Sequence, residues 1–599
     1  MRSRVASRKT VHFGPFQFDR ESRELFHGGT RVKLQPQPAM LLAMLLERPG
    51  ELVTRDDLYG TIWGLDTHVD YEQSLNYCVR HLREALGEAK GEATYVETVP
   101  KRGYRFVAHV HTPDRRSLQT GAVKTIAVLA LRSVGEAQEG QEMLAAGMTD
   151  TLISALSKVS NLRVLAVGSM QQADTVELAA RFGANLVVKS TVYSVGRKMR
   201  IGAQLLQAET GEVLWGDSFD GMADEALALH DRCTREIVAA TSLQLTPLER
   251  RRLSRRRRVV PEAYDLHLRG WHERGKMTIP SLERAAEYFR QAIEVDPGYS
   301  LAYSGLAMAL AWQMMPLTIR PSAELCAGTE EAAEAALRLD AENVEAMVAM
   351  SFIHMIRHDW KKTEAVLTQA LEIEPNNSQA LHNRAMLHAV QLQHEQALET
   401  MELALSLDPI SPMLHGSYAC CLYLLRQYER GLKQIRASLE NFPEFFKLHL
   451  CEGAILLQVG EPQRAVQALE KAIACSTEVP CLMAYLCVAL AQSGEAERAE
   501  VELERLERGE CGYVDPLYVA LACMGLGRME RALDLVEEAW DAQSEFLIFL
   551  NHDAMFDPIW REERFQRVCR KVGLPQVSAA EREALWAPGG RRLMAQRVG

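Results

Sequence analysis

The side chains best suited to chemistry lie between Tyr71 and Phe106. The run YEQSLNYCVRHLREAL, residues 71–86, places Gln73, Asn76, Tyr77 and Arg80 on one side of a helix, with Arg83 at the edge of that set. Gln and Asn amides can read adenine edges, and an arginine can read guanine or clamp a phosphate. A face that only meets water is more often rich in Lys and Glu. Beyond it comes YVETVPKRGYRF, residues 95–106, two short β-type runs around a Pro-Lys-Arg-Gly centre. Lys101 and Arg102 form its tip, where cations suit the DNA backbone or the adjacent minor groove. Arg105 joins the basic set and alternates with Tyr104 and Phe106, which anchor the hairpin to the helices. Alone, the helix face is an ordinary surface and the tip an ordinary solvated turn. Polar helix followed by basic hairpin is the combination that makes double-stranded DNA the expected ligand.

The rest of the chain offers little chemistry. Gly216–Phe219 reads GDSF, like the serine motif of one hydrolase class. It ends a hairpin, however, and no Asp-x-x-His lies downstream, so Ser218 is expected to be a strand residue and not a nucleophile. No phosphate-binding loop, kinase signature or zinc-hydrolase motif is present. The twelve cysteines include no CxxC pair and fall mostly within helical patterns, as small core residues do. No enzyme activity, metal or cofactor is expected. Seven arginines fall within residues 250–258. They suit phosphate contact, but their distance from the polar helix favours a solvated linker.

These residues need elements to hold them. Leu75, Val79, Leu82 and Leu86 fall in a narrow arc of the 71–86 helix and should face a core. Upstream, HFGPFQFD, ELFHG and RVKL are β-type pieces, and a helix is expected around 37–47 with Met40, Leu41, Met44 and Leu45 at helical spacing. RPGELVTRDDLYGTIWG reads as a turn and a second helix, with Thr54 as N-cap and Asp56 and Asp57 in the first turn. Strands, three helices and a terminal hairpin make a winged helix, whose third helix enters the major groove. Gly103 allows a turn or a close approach.

Residues 11–110 resemble the OmpR/PhoB-type winged-helix effector domain of bacterial transcription regulators. HVDYEQSLNYCVRHLREALGE, YVETVPKRGYRF and the leading FGPFQFD carry the likeness. The resemblance implies a DNA-recognition role for the helix with Asn76 and Arg80. It also implies a wing in the minor groove, an RNA polymerase contact through the loop Trp63–Asp70, and head-to-tail assembly on DNA. The family's receiver domain does not precede this module, so regulation independent of a phosphorelay is expected. The membrane helix of its anchored relatives does not follow it.

Residues 123–245 suggest a small α/β domain in the order βαβαβββ. KTIAVLAL and LRVLAV read as strands, and EMLAAGMTDTLISALSKV as a helix with Leu144, Met148, Leu152 and Leu156 on one face. A second helix is expected in TVELAARF, then strands to GDSF. The stretch resembles the TolB-amino-terminal-like domain of bacterial regulators, with Ala130 where that family usually has Pro.

From 262 to 575 a period of 34 residues appears: Ala341, Pro375, Pro409, Pro443 and Thr477 keep the register. Helices before these markers repeat a small–bulky–Ala pattern, as in Ala397, Met401, Ala404. This is the tetratricopeptide pattern, with about ten residues inserted around QMMPLTIRPS and roughly eight repeats in all. Stacked repeats make a superhelix whose groove binds a protein or peptide partner.

The fold class expected is therefore multidomain: winged helix, small α/β domain, all-α repeat superhelix. The chain has 599 residues and a net charge of −11, but residues 1–113 hold 16 Lys and Arg against 14 Asp and Glu. That asymmetry permits DNA binding at the N-terminal end without requiring it. No apolar run reaches 18 residues, and MRSRVASRKT has no signal-peptide core after it, so a cytoplasmic protein without membrane contact is expected. The function expected is a sequence-specific transcription regulator, an activator by preference. The alternative is an interaction scaffold whose winged helix no longer binds DNA.

Overall fold

The computed structural model describes residues 10–13, 16–19, 23–27, 30–47, 52–62, 71–86, 95–99, 102–107, 124–134, 139–159, 162–167, 183–195, 198–222, 226–241, 246, 249, 259–314, 322–476, 479–510 and 512–586. It divides into two compact units, Met1–Thr120 and Gly121–Gly599.

In the first unit, β1 (Thr10–Phe13), β2 (Phe16–Asp19), β3 (Glu24–His27) and β4 (Thr30–Val32) form an antiparallel sheet in chain order. Three helices follow: α1 (Pro36–Glu47), α2 (Arg55–Ile62) and α3 (Tyr71–Ala85). A second sheet has the order β5 (Leu52–Thr54), β7 (Gly103–Phe106), β6 (Val96–Val99). Phe18 and Leu25 of the first sheet pack with Leu41, Leu45, Leu75, Leu82 and Phe106. Leu75, Val79, Leu82 and Leu86 are all buried, as their spacing requires. Met40 and Met44 are only partly buried, and Leu42 and Leu46 take the deep positions of α1. Thr54 caps α2, accepting from the Asp57 N–H at 3.2 Å. Leu52–Thr54, read as part of a turn, is a strand because β7 supplies its partners.

The second unit begins with a sheet of order β10-β8-β11-β12-β13, with β9 also on β11. Its strands are β8 (Lys124–Val128), β9 (Arg132–Val134), β10 (Leu162–Ala166), β11 (Leu186–Val195), β12 (Lys198–Gln207) and β13 (Val213–Met222). β10, β8 and β11 run parallel, and β11 to β13 form an antiparallel meander. α4 (Glu139–Ser157) buries Met148, Leu152 and Leu156 against this sheet, and the side chain of Leu144 lies outside the described ones. β9 went unforeseen, being three residues long, and the helix expected in TVELAARF lies outside the described residues. The helix Ala226–Ala240 also packs on β12 and β13. Ser218 stands exposed in β13 opposite Gly202.

Sixteen helices from Pro261 to Asp541 pair as eight hairpins among the described residues. The insertion's residues 315–321 and the arginine run 250–258 lie outside the described residues. Five successive hairpin turns among the described residues repeat one backbone device. His358, Leu392, Arg426, Gly460 and Gly494, spaced by 34, have φ of 59°, 61°, 54°, 78° and 91°. The next N–H in each case returns to a carbonyl five residues back, as Asp359 to His354 and Glu461 to Leu456, at 2.8 and 2.9 Å. That is the bond that ends a helix through a left-handed residue. At the other end of the repeat, the prolines stop the second helix. Two residues later Asn377 and Ser411 cap the next one through the Ala380 and Leu414 N–H groups.

Within this unit the sheet layer docks on the repeats. Asn376 Nδ2 donates to the Leu162 carbonyl at 2.7 Å, Arg163 to Ser406 Oγ at 2.6 Å, and Lys158 lies 3.6 Å from Glu374. The last turns, Glu545–Phe549 and Ala554–Ile559, fold back across the first helices of the array. Arg426 grips Asp557 with two bonds of 2.7 and 2.6 Å, and Tyr485 donates to Asp553 at 2.8 Å.

The turn device predicts an inverted order of substitution. A Cβ on Gly460 would meet nothing within 4 Å, so the cost of Gly460→Ala is conformational alone, about 1 kcal/mol. At position 392, Gly should be more stable than Ala, the reverse of the helix-interior order. Chemical denaturation of the full chain checks both, and Ala equalling Gly at both sites would contradict the turn geometry.

Candidate nucleic-acid interface

α3 is amphipathic, and its buried leucines turn Gln73, Asn76, Tyr77 and Arg80 outward, where all four are exposed. The Tyr77 ring, 40% exposed, packs on His81 with centroids 4.3 Å apart. The Arg80 guanidinium lies 5.6 Å from the Tyr77 ring centre, within cation–π range. This is a pre-shaped surface of amide, ring and cation.

The hairpin fixes how that surface is presented. Tyr104 of β7 is buried, and its hydroxyl donates to Asn76 Oδ1 at 3.1 Å. Burial raises the Tyr104 pKa, which keeps the phenol protonated and a donor. Arg55 approaches the same hydroxyl at 3.5 Å and lies 3.6 Å from Glu72 of α3. A hydrogen bond with Tyr59 is the largest influence raising the Arg55 pKa. The Asn76 amide is thereby oriented from behind, with its Nδ2 donor and a second lone pair of Oδ1 still to offer.

Two of the expected DNA-reading arginines are engaged within the fold. Arg83 Nη2 donates to the Val96 carbonyl at 2.6 Å and to Thr98 Oγ1 at 2.9 Å, clasping α3 to β6. Arg105 pairs with Glu97 at 3.2 Å, directly opposite in the ladder. Arg102 is exposed at the tip, where its N–H closes the turn on Val99 at 3.0 Å and its carbonyl accepts from Arg55. Lys101 and the loop Trp63–Asp70 lie outside the described residues. The sequence reading missed Arg55, which only the tertiary fold brings from α2 to Tyr104.

Gly103 has a steric reason. A Cβ there would lie 2.0 Å from the Val53 carbonyl, because β5 and β7 pair Thr54 with Gly103.

Outward polar helix and braced hairpin define a winged helix of the OmpR/PhoB type. Residues 29–106 match the family described as "Transcriptional regulatory protein, C terminal". A Rhizobium meliloti protein named, provisionally, adenylate cyclase 3 is 32% identical over 196 residues, covering 32% of this chain and 33% of that protein. The transcriptional regulator HilA of Salmonella typhimurium is 24% identical over 346 residues, covering 56% of this chain and 59% of that protein. The chain thus spans a third to three fifths of these relatives' length. The yeast Tom70 structure is 17% identical, covers 52% of this chain and 68% of its own, and gives a TM-score of 0.33. No described helix is long and apolar enough to cross a membrane.

Gly103→Ala should lower the stability of the first unit by about 1–3 kcal/mol through overpacking. Hydrogen exchange on the full chain should show faster exchange at residues 52–54 and 103–106. Unchanged exchange there would contradict the close β5–β7 approach.

Proposed function

We propose that the chain is a sequence-specific DNA-binding transcription regulator that acts as an activator in the cytoplasm. The observation that carries this is the exposed face of α3, with Asn76 oriented by the buried Tyr104 beside a basic hairpin tip. α3 enters the major groove. Asn76 and Arg80 read base edges there, flanked by Gln73 and Tyr77. Arg102 and Lys101 meet the backbone or the adjacent minor groove. Arg83 holds the hairpin against the helix through β6, and Arg105 ties the hairpin's two strands together through Glu97.

The loop Trp63–Asp70 touches RNA polymerase, and copies assemble head to tail on DNA. The helical repeats carry the protein-partner role, on surfaces outside the space crossed by the last turns. No catalytic step is assigned to Ser218 or to any other side chain.

The test is selection of a motif from a random duplex library by the full chain at two salt concentrations. An enriched motif that weakens as salt rises is expected. Asn76→Ala or Arg80→Ala should cost about 1–3 kcal/mol and relax the choice at one position. Arg102→Ala should weaken all sequences alike and reduce the salt slope by about 1. Folded protein that enriches no motif would leave the scaffold reading in place.

A further inference from the structure

The first helices of successive hairpins, with the last turns lying across part of them, line a partly open chamber of about 190 Å³. Its walls are mostly apolar and aromatic, with Met386, Tyr518, Phe546 and Phe556 among them. Among the described residues two charged ones line it, Lys447 and Asp553. They are not alike. Asp553 is closed off: the Tyr485 hydroxyl donates to it at 2.8 Å, the Tyr423 hydroxyl bonds its other oxygen, and the Met555 N–H adds a third bond at 2.9 Å.

Lys447 has no such satisfaction. Its ammonium donates to Ser417 Oγ at 3.1 Å and meets Met413 Sδ at 3.7 Å, and neither is an anion. Among the described residues no carboxylate lies within ion-pair range of it. Elsewhere in the array cations are paired, as Arg426 with Asp557 and Arg528 with Glu500. Lys447 is partly buried, and an anion beside its ammonium would supply the charge partner that the apolar walls do not. A second donor stands nearby. His382 also lines the chamber, and burial, aided by the Lys447 charge, pushes its pKa down to about 3. The neutral ring has Gln379 Nε2 at 2.9 Å from its Nδ1. With that amide donating, the ring proton is on Nε2.

We propose that this chamber binds a small organic carboxylate, with its head on Lys447 and its apolar body against Met386 and the aromatic walls. Size supports a small ligand: a dry cavity of about 150 Å³ accepts benzene, so this one suits a medium-chain or aryl acid. The inference goes beyond the DNA-binding reading and does not depend on it.

Calorimetric titration of the full chain with octanoate and 4-phenylbutyrate tests it. At least one should bind, and octan-1-ol should bind about tenfold more weakly, since hydrogen bonds to a charged group carry that much. Lys447→Gln should lose about tenfold in affinity for the acid, and Lys447→Arg should keep most of it. Cys420 lines the chamber and Cys475 does not, though both are partly exposed. The bound acid should slow alkylation of Cys420 by iodoacetamide and leave Cys475 unchanged, a readout that needs no variant. Failure of both acids to bind at millimolar concentration would overturn the proposal. So would octan-1-ol matching octanoate, or a short peptide with a free C-terminal Phe outcompeting both acids.

Discussion

A left-handed residue after the first helix of five successive hairpins is the constraint on which this part of the helical array depends. It closes the helix with a backbone bond to a carbonyl five residues back and turns the chain. Because the device recurs every 34 residues, the hairpins stack in register and their first helices line one side of the array. Three of these positions are His358, Leu392 and Arg426, which accept a strained conformation that Gly460 and Gly494 adopt freely. Packing on both sides of the turn holds them there. Arg426 also uses its side chain, clamping Asp557 of the returning turns.

Those turns change what the array can do. An open superhelix offers a groove along its length, wide enough for an extended chain. Here Asp553 is drawn in by Tyr423 and Tyr485, so that the returning segment roofs part of the inner surface. What remains is a chamber in which, among the described residues, Lys447 is the one cation and has no carboxylate beside it. The space left there is of small-molecule size, about 190 Å³.

In the first unit, one buried hydroxyl couples recognition helix and wing. Tyr104 has its ring in the core and its oxygen on Asn76, so the hairpin cannot shift without moving the amide it orients. The arginines near it differ in placement. Arg83 and Arg105 bond Val96, Thr98 and Glu97, and Arg80 and Arg102 stand on the exposed surface. Charge alone would have treated all four as equivalent.

The sequence by itself determined the periodic features. Leu75, Val79, Leu82 and Leu86 mark the buried face of α3, and so place Gln73, Asn76, Tyr77 and Arg80 outside. Likewise Pro375, Pro409 and Pro443 mark the repeat, because local sterics stop a helix wherever proline stands. Features that need a distant partner were not legible. Leu52–Thr54 and Arg132–Val134 are strands only through their pairing with β7 and β11. Arg55 joins the site because α2 and β7 meet. Lys447 looks like any surface lysine until the stacked hairpins set it in the wall of the chamber, beside Ser417 and Met413. Periodicity is a property of neighbours along the chain, written in residue types. A side chain's partner across the fold, and so whether a charge is spent or available, is decided only when residues a hundred positions apart are packed together.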